Sequence, residues 1–451
     1  MSLIDKFLPK EIAASHIVIC KSLSYLLKAE KVFRQFNIPM DMIPVPRGFG
    51  SPCRTALLFP SPYKDQVENL LQENHISWQG IYPMETKPRK KDWSSVFTNQ
   101  MTNDFRAIME KARQDVELNL SEVMRLLKSE SPGETKALYK AADLVRQECV
   151  GERVDIRGAI EFSNYCSKNC LYCGLRKENN QLPRYRMTIE EILVAVGKVA
   201  QMGLRTVILQ SGEDPWYTTD KLLDLIKKIK SLYGLRITLS LGEREPEELK
   251  LFREAGANNY LLKIEAADPK LFTRVHPDTD YYQRMKVLNS LKKVGFLVGS
   301  GNIVGLPGQT LKQLAEDILF QKEKGIHMIG TGPFIPAANT PFVTSCPGSV
   351  DLTLKTIAIA RILCQNVYIP ATTALATLDK DGLIKGLKAG ANTIMLVLTP
   401  AEYRASYNIY NAKKPVSLKD ALEAVKAAGR KPPLYLEKRV SGGGDRFAGN
   451  A

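Results

Sequence analysis

Apolar and polar positions change rhythm three times along the chain. In the first eighty residues the runs His16 to Cys20, Met40 to Val45, Thr55 to Phe59 and Ser77 to Tyr82 read as strands, while Ser22 to Phe36 and Tyr63 to Asn74 repeat apolar residues at helical spacing. This βαββαβ order predicts a small α+β domain of the ferredoxin-like split type over residues 1–84. Glu85 to Asp92 places Pro88 among lysines and arginines, too polar to bury much surface, and predicts a linker over 85–103.

From Asp104 to Val150 the pattern is helical, with Leu118, Val123, Leu126 and Leu127 on one face and a break at Ser131-Pro-Gly133. This helical extension, 104–153, is expected to pack beneath the domain that follows. Over 154–400 eight β-branched runs alternate with amphipathic helical stretches: Ile156 to Phe162, Thr206 to Gln210, Arg236 to Ser240, Asn259 to Glu265, Leu297 to Val304, His327 to Thr331, Val367 to Thr372 and Asn392 to Val397. Spacers suited to right-handed parallel crossovers predict an α/β fold, a (βα)8 TIM-type barrel with its chemistry at the strand C-terminal ends. Residues 401–451 are read as C-terminal helices and a tail.

Composition narrows the picture. A hydrophobic fraction of 44% with 25% charged residues is that of a globular protein, and no apolar run is long enough to span a bilayer. Met1 to Glu11 lacks the apolar core of a leader, so a cytoplasmic location is expected. Lysine and arginine exceed aspartate and glutamate by 63 − 48 = 15, a surface suited to acidic partners or anionic small molecules; without zinc-finger or aromatic-interleaved basic motifs, nucleic acid is not the expected partner.

Eight cysteines are too few for a disulfide scaffold, yet three of them crowd into Cys166-Ser-Lys-Asn-Cys170-Leu-Tyr-Cys173, directly after the first barrel strand. Three soft ligands in one loop suit an iron-sulfur cluster with an open iron position. Zinc would need a fourth ligand that the neighbouring sequence does not offer. Three cysteines packed as small hydrophobes are the remaining alternative, against which Lys168 and Asn169 make the loop polar.

CxxxCxxC with aromatic Tyr172 before the last cysteine resembles the signature of the radical S-adenosylmethionine superfamily. The resemblance implies a 4Fe-4S cluster on Cys166, Cys170 and Cys173, with S-adenosyl-L-methionine cleaved to methionine and a 5′-deoxyadenosyl radical. It also implies cofactor contacts at Ser211-Gly212-Glu213, which resembles the family's Gly-Gly-Glu, and at Ser240, Glu265 and Arg284. Gly301, Ile303 and Gly305 resemble a GxIxG segment, where missing side chains let adenine approach the backbone.

Ile160-Glu-Phe-Ser-Asn164, Leu209-Gln-Ser-Gly-Glu-Asp-Pro215, Leu239-Ser-Leu-Gly-Glu243, Gly305-Leu-Pro-Gly-Gln-Thr310 and Ile369-Pro-Ala-Thr-Thr373 are similar to the HydE group, maturases of FeFe hydrogenase. This implies maturation of the diiron cofactor, a small-molecule or iron-complex substrate, partner maturases and a reductant such as ferredoxin or flavodoxin. It also implies an anion-binding pair at Thr372 and Thr373. Two departures stand out: Pro336-Ala-Ala-Asn-Thr-Pro341 lacks the histidine and aspartate of the group's segment, and only Cys346 and Cys364 follow Cys173, so a second thiolate-held cluster is not expected.

Ala29-Glu-Lys31, Val45-Pro-Arg47 and Ser51-Pro-Cys53 resemble a small selenium- or sulfur-carrier-like domain, with Cys53 as a candidate carrier thiol between Arg47 and Arg54. Two further readings therefore stay open: a HydE-like paralogue acting on another sulfur or selenium compound, and a non-catalytic iron-sulfur scaffold or sulfur carrier.

Overall fold

A computed structural model describes residues 15–45, 55–84, 92–129, 131–433 and 436. Cys53, Arg47, Arg54, Met1 to Glu11, most of the 85–92 stretch and nearly all of the tail lie outside these residues.

In the N-terminal domain β1 (Ser15–Cys20), β2 (Asp41–Pro44), β3 (Thr55–Pro60) and β4 (Trp78–Met84) form an antiparallel sheet in the order β2-β3-β1-β4. Helices Leu23–Gln35 and Lys64–Glu73 cover it, burying Leu26, Phe33, Val67 and Leu71 against Val18, Leu57 and Phe59. The first helix starts at Ser22, whose hydroxyl accepts from the Tyr25 N–H and satisfies an otherwise unpaired donor.

Eight parallel strands follow: β5 (Asp155–Ser163), β6 (Thr206–Ser211), β7 (Arg236–Ser240), β8 (Asn259–Leu261), β9 (Leu297–Ser300), β11 (Met328–Ile329), β13 (Pro370–Ala371) and β14 (Thr393–Val397). Their order is β11-β9-β8-β7-β6-β5-β14-β13. A parallel bridge between Met328 and Tyr368 brings the two edges together. A separate parallel pair, β10 (Ile303–Val304) and β12 (Gly332–Pro333), extends the wall toward the mouth.

Several elements differ from the sequence reading. The fourth barrel strand stops at Leu261, and Glu265 lies beyond it with a left-handed φ of 59°. The expected fifth strand is divided into β9 and β10 around Gly301-Asn302. Helices Asn103–Arg113, Leu120–Leu127 and Pro132–Val150 do not lie beneath the barrel; they flank it. Their apolar residues Phe105, Leu126 and Leu138 share a core with Ile318 and Ile359 of barrel helices Leu311–Glu323 and Val350–Cys364. Those helices carry apolar side chains on their outward faces as well, and the flanking layer removes that surface from water.

The N-terminal domain meets the barrel at the opposite end from the strand C-termini. The Arg253 guanidinium donates to Glu30 and, through Nε, to the Gly295 carbonyl at 2.9 Å. Arg236, first residue of β7, donates to the Thr55 hydroxyl at 2.6 Å. Low in the lumen, Arg157 pairs with Asp155 at 2.8 Å and stacks over the Tyr368 ring at 4.4 Å.

Candidate functional site

A cavity of about 350 Å³ opens at the C-terminal ends of the barrel strands, where this fold builds its active sites. It is lined by Cys166, Cys170 and Cys173 together with Ser211, Gly212, Glu213, Ser240, Glu265, Arg284, Ile303, Thr372 and Thr373. These residues come from separate parts of 208 positions of sequence. Gly301 and Gly305 are not among the lining residues. A Cβ on Gly301 would lie 2.0 Å from the Gly330 carbonyl oxygen; one on Gly305, whose φ is +86°, would lie 2.5 Å from the Gly348 Cα. Backbone crowding therefore explains glycine at both positions, rather than an opening toward a ligand.

The cysteine loop is held from two sides. On one, the Ser167 N–H donates to the Glu213 carbonyl at 2.9 Å, and the Glu213 N–H points at the Cys166 sulfur at 3.4 Å. Gly212 permits this approach, since a Cβ there would sit 2.1 Å from the Tyr165 carbonyl oxygen and 2.7 Å from the Cys166 Cβ. On the other side the Leu171 N–H donates to the Val275 carbonyl and the Asn169 N–H to the Asp278 carboxylate, both at 2.9 Å. The Tyr172 hydroxyl donates to Nε2 of His276 at 2.9 Å. Burial first, and then the Arg284 charge, push the His276 imidazole down to about 3.

Burial raises the pKa of all three thiols, and Cys173 is pushed up to about 12; for Cys170 the other two sulfurs add to the effect. Such a trio ionises together only around a strongly cationic centre. Among the described residues no three histidine, cysteine, aspartate or glutamate side chains converge as ligands of one metal ion. A polynuclear cluster, taking one thiolate per iron, suits a donor set spread along a cavity wall.

Charges face the thiols across the cavity. Arg284, on helix Tyr281–Lys293, pairs with Glu243 and lies 3.7 Å from Glu213, while its Nη1 donates to the Lys263 carbonyl at 2.7 Å. Burial raises the Glu213 pKa, opposed by Arg284 and Lys168. Glu265 is held by its own backbone: its N–H donates to the Gly301 carbonyl at 3.0 Å and its carbonyl accepts from Ile303 at 3.1 Å. One oxygen, Oε2, is buried without an aligned hydrogen bond, although the Lys263 ammonium lies 2.9 Å away. Thr372 caps helix Thr373–Leu378 by accepting from Leu375, and the Thr373 hydroxyl is 2.9 Å from that of Tyr410.

The sequence reading did not single out Gln210, Lys263, His276, Tyr407, Ile409 and Tyr410, which also line the cavity. The first three sit in or beside predicted elements whose periodicity says nothing of lumen or mouth. The last three belong to an irregular segment after β14, where no periodic signal exists.

The radical SAM superfamily model matches residues 160–320, and a Se/S carrier protein-like family model matches residues 15–83. The chain is 46% identical over 306 residues to the FeFe-hydrogenase maturase subunit HydE of Thermotoga maritima, a match covering 66% of this chain and 88% of that protein. It is 28% identical over 341 residues to 3-methylornithine synthase of Methanosarcina acetivorans, covering 74% of this chain and 96% of the relative. Among solved structures, methylornithine synthase superposes with a TM-score of 0.66 at 26% identity over 74% of this chain and 99% of that one. The maturase HydG of Carboxydothermus hydrogenoformans superposes with a TM-score of 0.65 at 23% identity, covering 74% of this chain and 81% of its own, a likeness of fold.

Proposed function

Because this chain belongs to the HydE family of the radical S-adenosylmethionine superfamily, we propose that it acts in building the diiron cofactor of FeFe hydrogenase, with Cys166, Cys170 and Cys173 as the ligands of its 4Fe-4S cluster. It is a radical S-adenosylmethionine enzyme, and the family works with that cluster and with S-adenosyl-L-methionine. When bound, these groups supply a one-electron reductive cleavage of the sulfonium that gives methionine and a 5′-deoxyadenosyl radical.

The protein's own residues bind, orient and enclose. Cys166, Cys170 and Cys173 would hold the cluster by three thiolates, which would leave one iron for the methionine part of the cofactor. Glu213 is suited to the methionine ammonium group and Arg284 to its carboxylate, while Ser240 and Glu265, the latter paired with Lys263, are suited to hydroxyl and amino groups. The Thr372 and Thr373 hydroxyls, at the start of the helix that follows β13, are donors for an anionic or cyanide-bearing substrate. The βα loops that rim the cavity would limit the access of water to a reactive intermediate. A reductant of the ferredoxin or flavodoxin type supplies the electron, and partner maturases deliver and receive the iron complex.

The reading rests on one observation: the three thiols and the polar set Glu213, Ser240, Glu265 and Arg284 line a single cavity. Its test is anaerobic reconstitution, reduction with S-adenosylmethionine present, and assay of apo-hydrogenase activation alongside the other maturases. Formation of 5′-deoxyadenosine, lost in Cys166→Ala, with activation of the hydrogenase is expected. A loaded cluster that yields no 5′-deoxyadenosine overturns the assignment.

The carrier-like match over residues 15–83 favours a second reading, in which a HydE-like paralogue acts on another sulfur or selenium compound. Cofactor cleavage without hydrogenase activation, stimulated instead by a selenium or sulfur donor, would select it.

A further inference from the structure

After the short helix Ala401–Arg404, residues 405–413 cross the mouth of the barrel without regular structure. They are tied to three different loops. The Asn164 side-chain amide donates to the Ser406 carbonyl at 2.8 Å, and the Gly174 N–H, next to Cys173, donates to the Ile409 carbonyl at 3.0 Å. The Asn411 N–H donates to the Pro336 carbonyl at 3.0 Å, and its side-chain oxygen accepts from Ala338 at 2.7 Å. Tyr410 meets Thr373. Tyr407, Ile409 and Tyr410 thereby become a wall of the cavity. The fit against the cysteine loop is close: a Cβ on Gly174 would stand 2.0 Å from the Asn408 carbonyl oxygen.

At its end the segment turns into the barrel. Ala412 takes a left-handed φ of 53°, a conformation disfavoured for a residue with a Cβ, and Lys413 then points inward. Its ammonium pairs with the Glu161 carboxylate on β5, the two side chains being 8% and 5% exposed. The Thr399 hydroxyl completes the site, donating to the second Glu161 oxygen at 3.2 Å and accepting from the Glu161 N–H at 2.9 Å. The Lys413 nitrogen also stands 4.8 Å from the centre of the Tyr407 ring.

A buried ion pair contributes little stability compared with apolar residues of the same volume. What it does dictate is position, because among the described residues neither charge has another ion-pair partner. We propose that Glu161 and Lys413 are positioning residues: their ion pair anchors residues 405–413 across the mouth, setting the Tyr407 and Tyr410 wall of the substrate cavity and covering the cysteine loop. The proposal rests on the radical S-adenosylmethionine reading only in using the cluster as a probe.

The test uses full-length reconstituted protein in four forms: wild type, Lys413→Met, Lys413→Arg, and the double variant Glu161→Gln with Lys413→Gln. The last removes both charges and leaves no unpaired buried carboxylate. Three quantities are read: the rate at which an iron chelator bleaches the cluster, hydrogen–deuterium exchange over 405–413, and thermal unfolding. In Lys413→Met and in the double variant, bleaching and exchange are expected to accelerate by at least about tenfold, the change produced by losing one buried charge-assisted contact. Lys413→Arg should restore both to near wild type. The double variant should unfold near the wild-type temperature, which separates anchoring from general stability and carries the test if Lys413→Met does not fold. Wild-type bleaching and exchange in a double variant of normal stability overturns the proposal. If no cluster assembles on wild-type protein, the radical reading fails, while exchange over 405–413 still decides the anchoring role.

Discussion

The Tyr172 hydroxyl donates to Nε2 of His276 at 2.9 Å, and Nδ1 of the same ring lies 3.0 Å from the Phe272 carbonyl oxygen. A carbonyl only accepts, so Nδ1 carries the proton and Nε2 is the acceptor for Tyr172. His276 is 1% exposed, and its second interaction fixes the tautomer that the cysteine loop requires. His276→Leu strands a buried tyrosine hydroxyl, a loss of about 1–3 kcal/mol. Adding Tyr172→Phe removes the stranded group and should return part of that loss. A double-mutant cycle by denaturant unfolding checks this; additive effects would show that the two side chains are not coupled.

Gly212→Ala tests the contact between the cysteine loop and β6. The new methyl group would occupy space 2.1 Å from a carbonyl oxygen of that loop, so the loop, rather than the buried β6 strand, is the element expected to move. Iron content after reconstitution should fall several-fold, while the unfolding temperature drops by only a few degrees. Full iron loading in Gly212→Ala would show that the loop adapts without losing its donor geometry.

Much of this architecture is legible in the sequence, for physical reasons that also explain what is not. β6, β7 and β14 are barrel strands with short, mainly apolar and β-branched runs, whereas β5, buried throughout, mixes Ile156, Ile160 and Phe162 with the lumen charges Arg157 and Glu161. Met328–Ile329 and Pro370–Ala371 are only two residues each; Pro370 has no N–H to give to a ladder, and neighbouring Tyr368 joins the barrel edges, its N–H donating to the His327 carbonyl and its carbonyl accepting from the Ile329 N–H. The cysteine trio and Glu213 are visible because one short segment carries each motif. Tyr407, Tyr410 and Lys413 join the cavity through an irregular crossing whose course depends on Glu161, some 250 residues earlier, and no local pattern encodes that pairing.

Glu265 joins backbone strain to a charge in the cavity. A left-handed conformation is unfavourable for glutamate by about 1 kcal/mol or more and free of that penalty for glycine. Glu265→Gly is therefore expected to match or slightly exceed wild type in stability, despite losing the Lys263 ion pair. Loss of a charge-assisted hydrogen bond of roughly 1.5–3 kcal/mol should weaken S-adenosylmethionine binding by about tenfold to a hundredfold. Calorimetric titration alongside thermal unfolding measures both. Unchanged affinity would remove Glu265 from the cofactor site.

The barrel's acid stability should depend on His327, which precedes β11 and accepts a hydrogen bond from the Val298 N–H at 3.2 Å through Nδ1. Burial, reinforced by the nearby Lys292 charge, pushes this imidazole down to about 4 from an ordinary 6.5. Between those values the unfolded chain holds a proton that the folded protein excludes, so unfolding takes up protons as pH falls. Stability should rise with pH from about 4 to 6.5 and level off above. At about 1.4 kcal/mol per pH unit, this single group contributes a difference of roughly 3 kcal/mol across that window. His327→Gln keeps an acceptor for Val298 without a titrating ring, and its unfolding free energy should vary less with pH over this range. An equal slope in wild type and variant would assign the acid sensitivity to other groups.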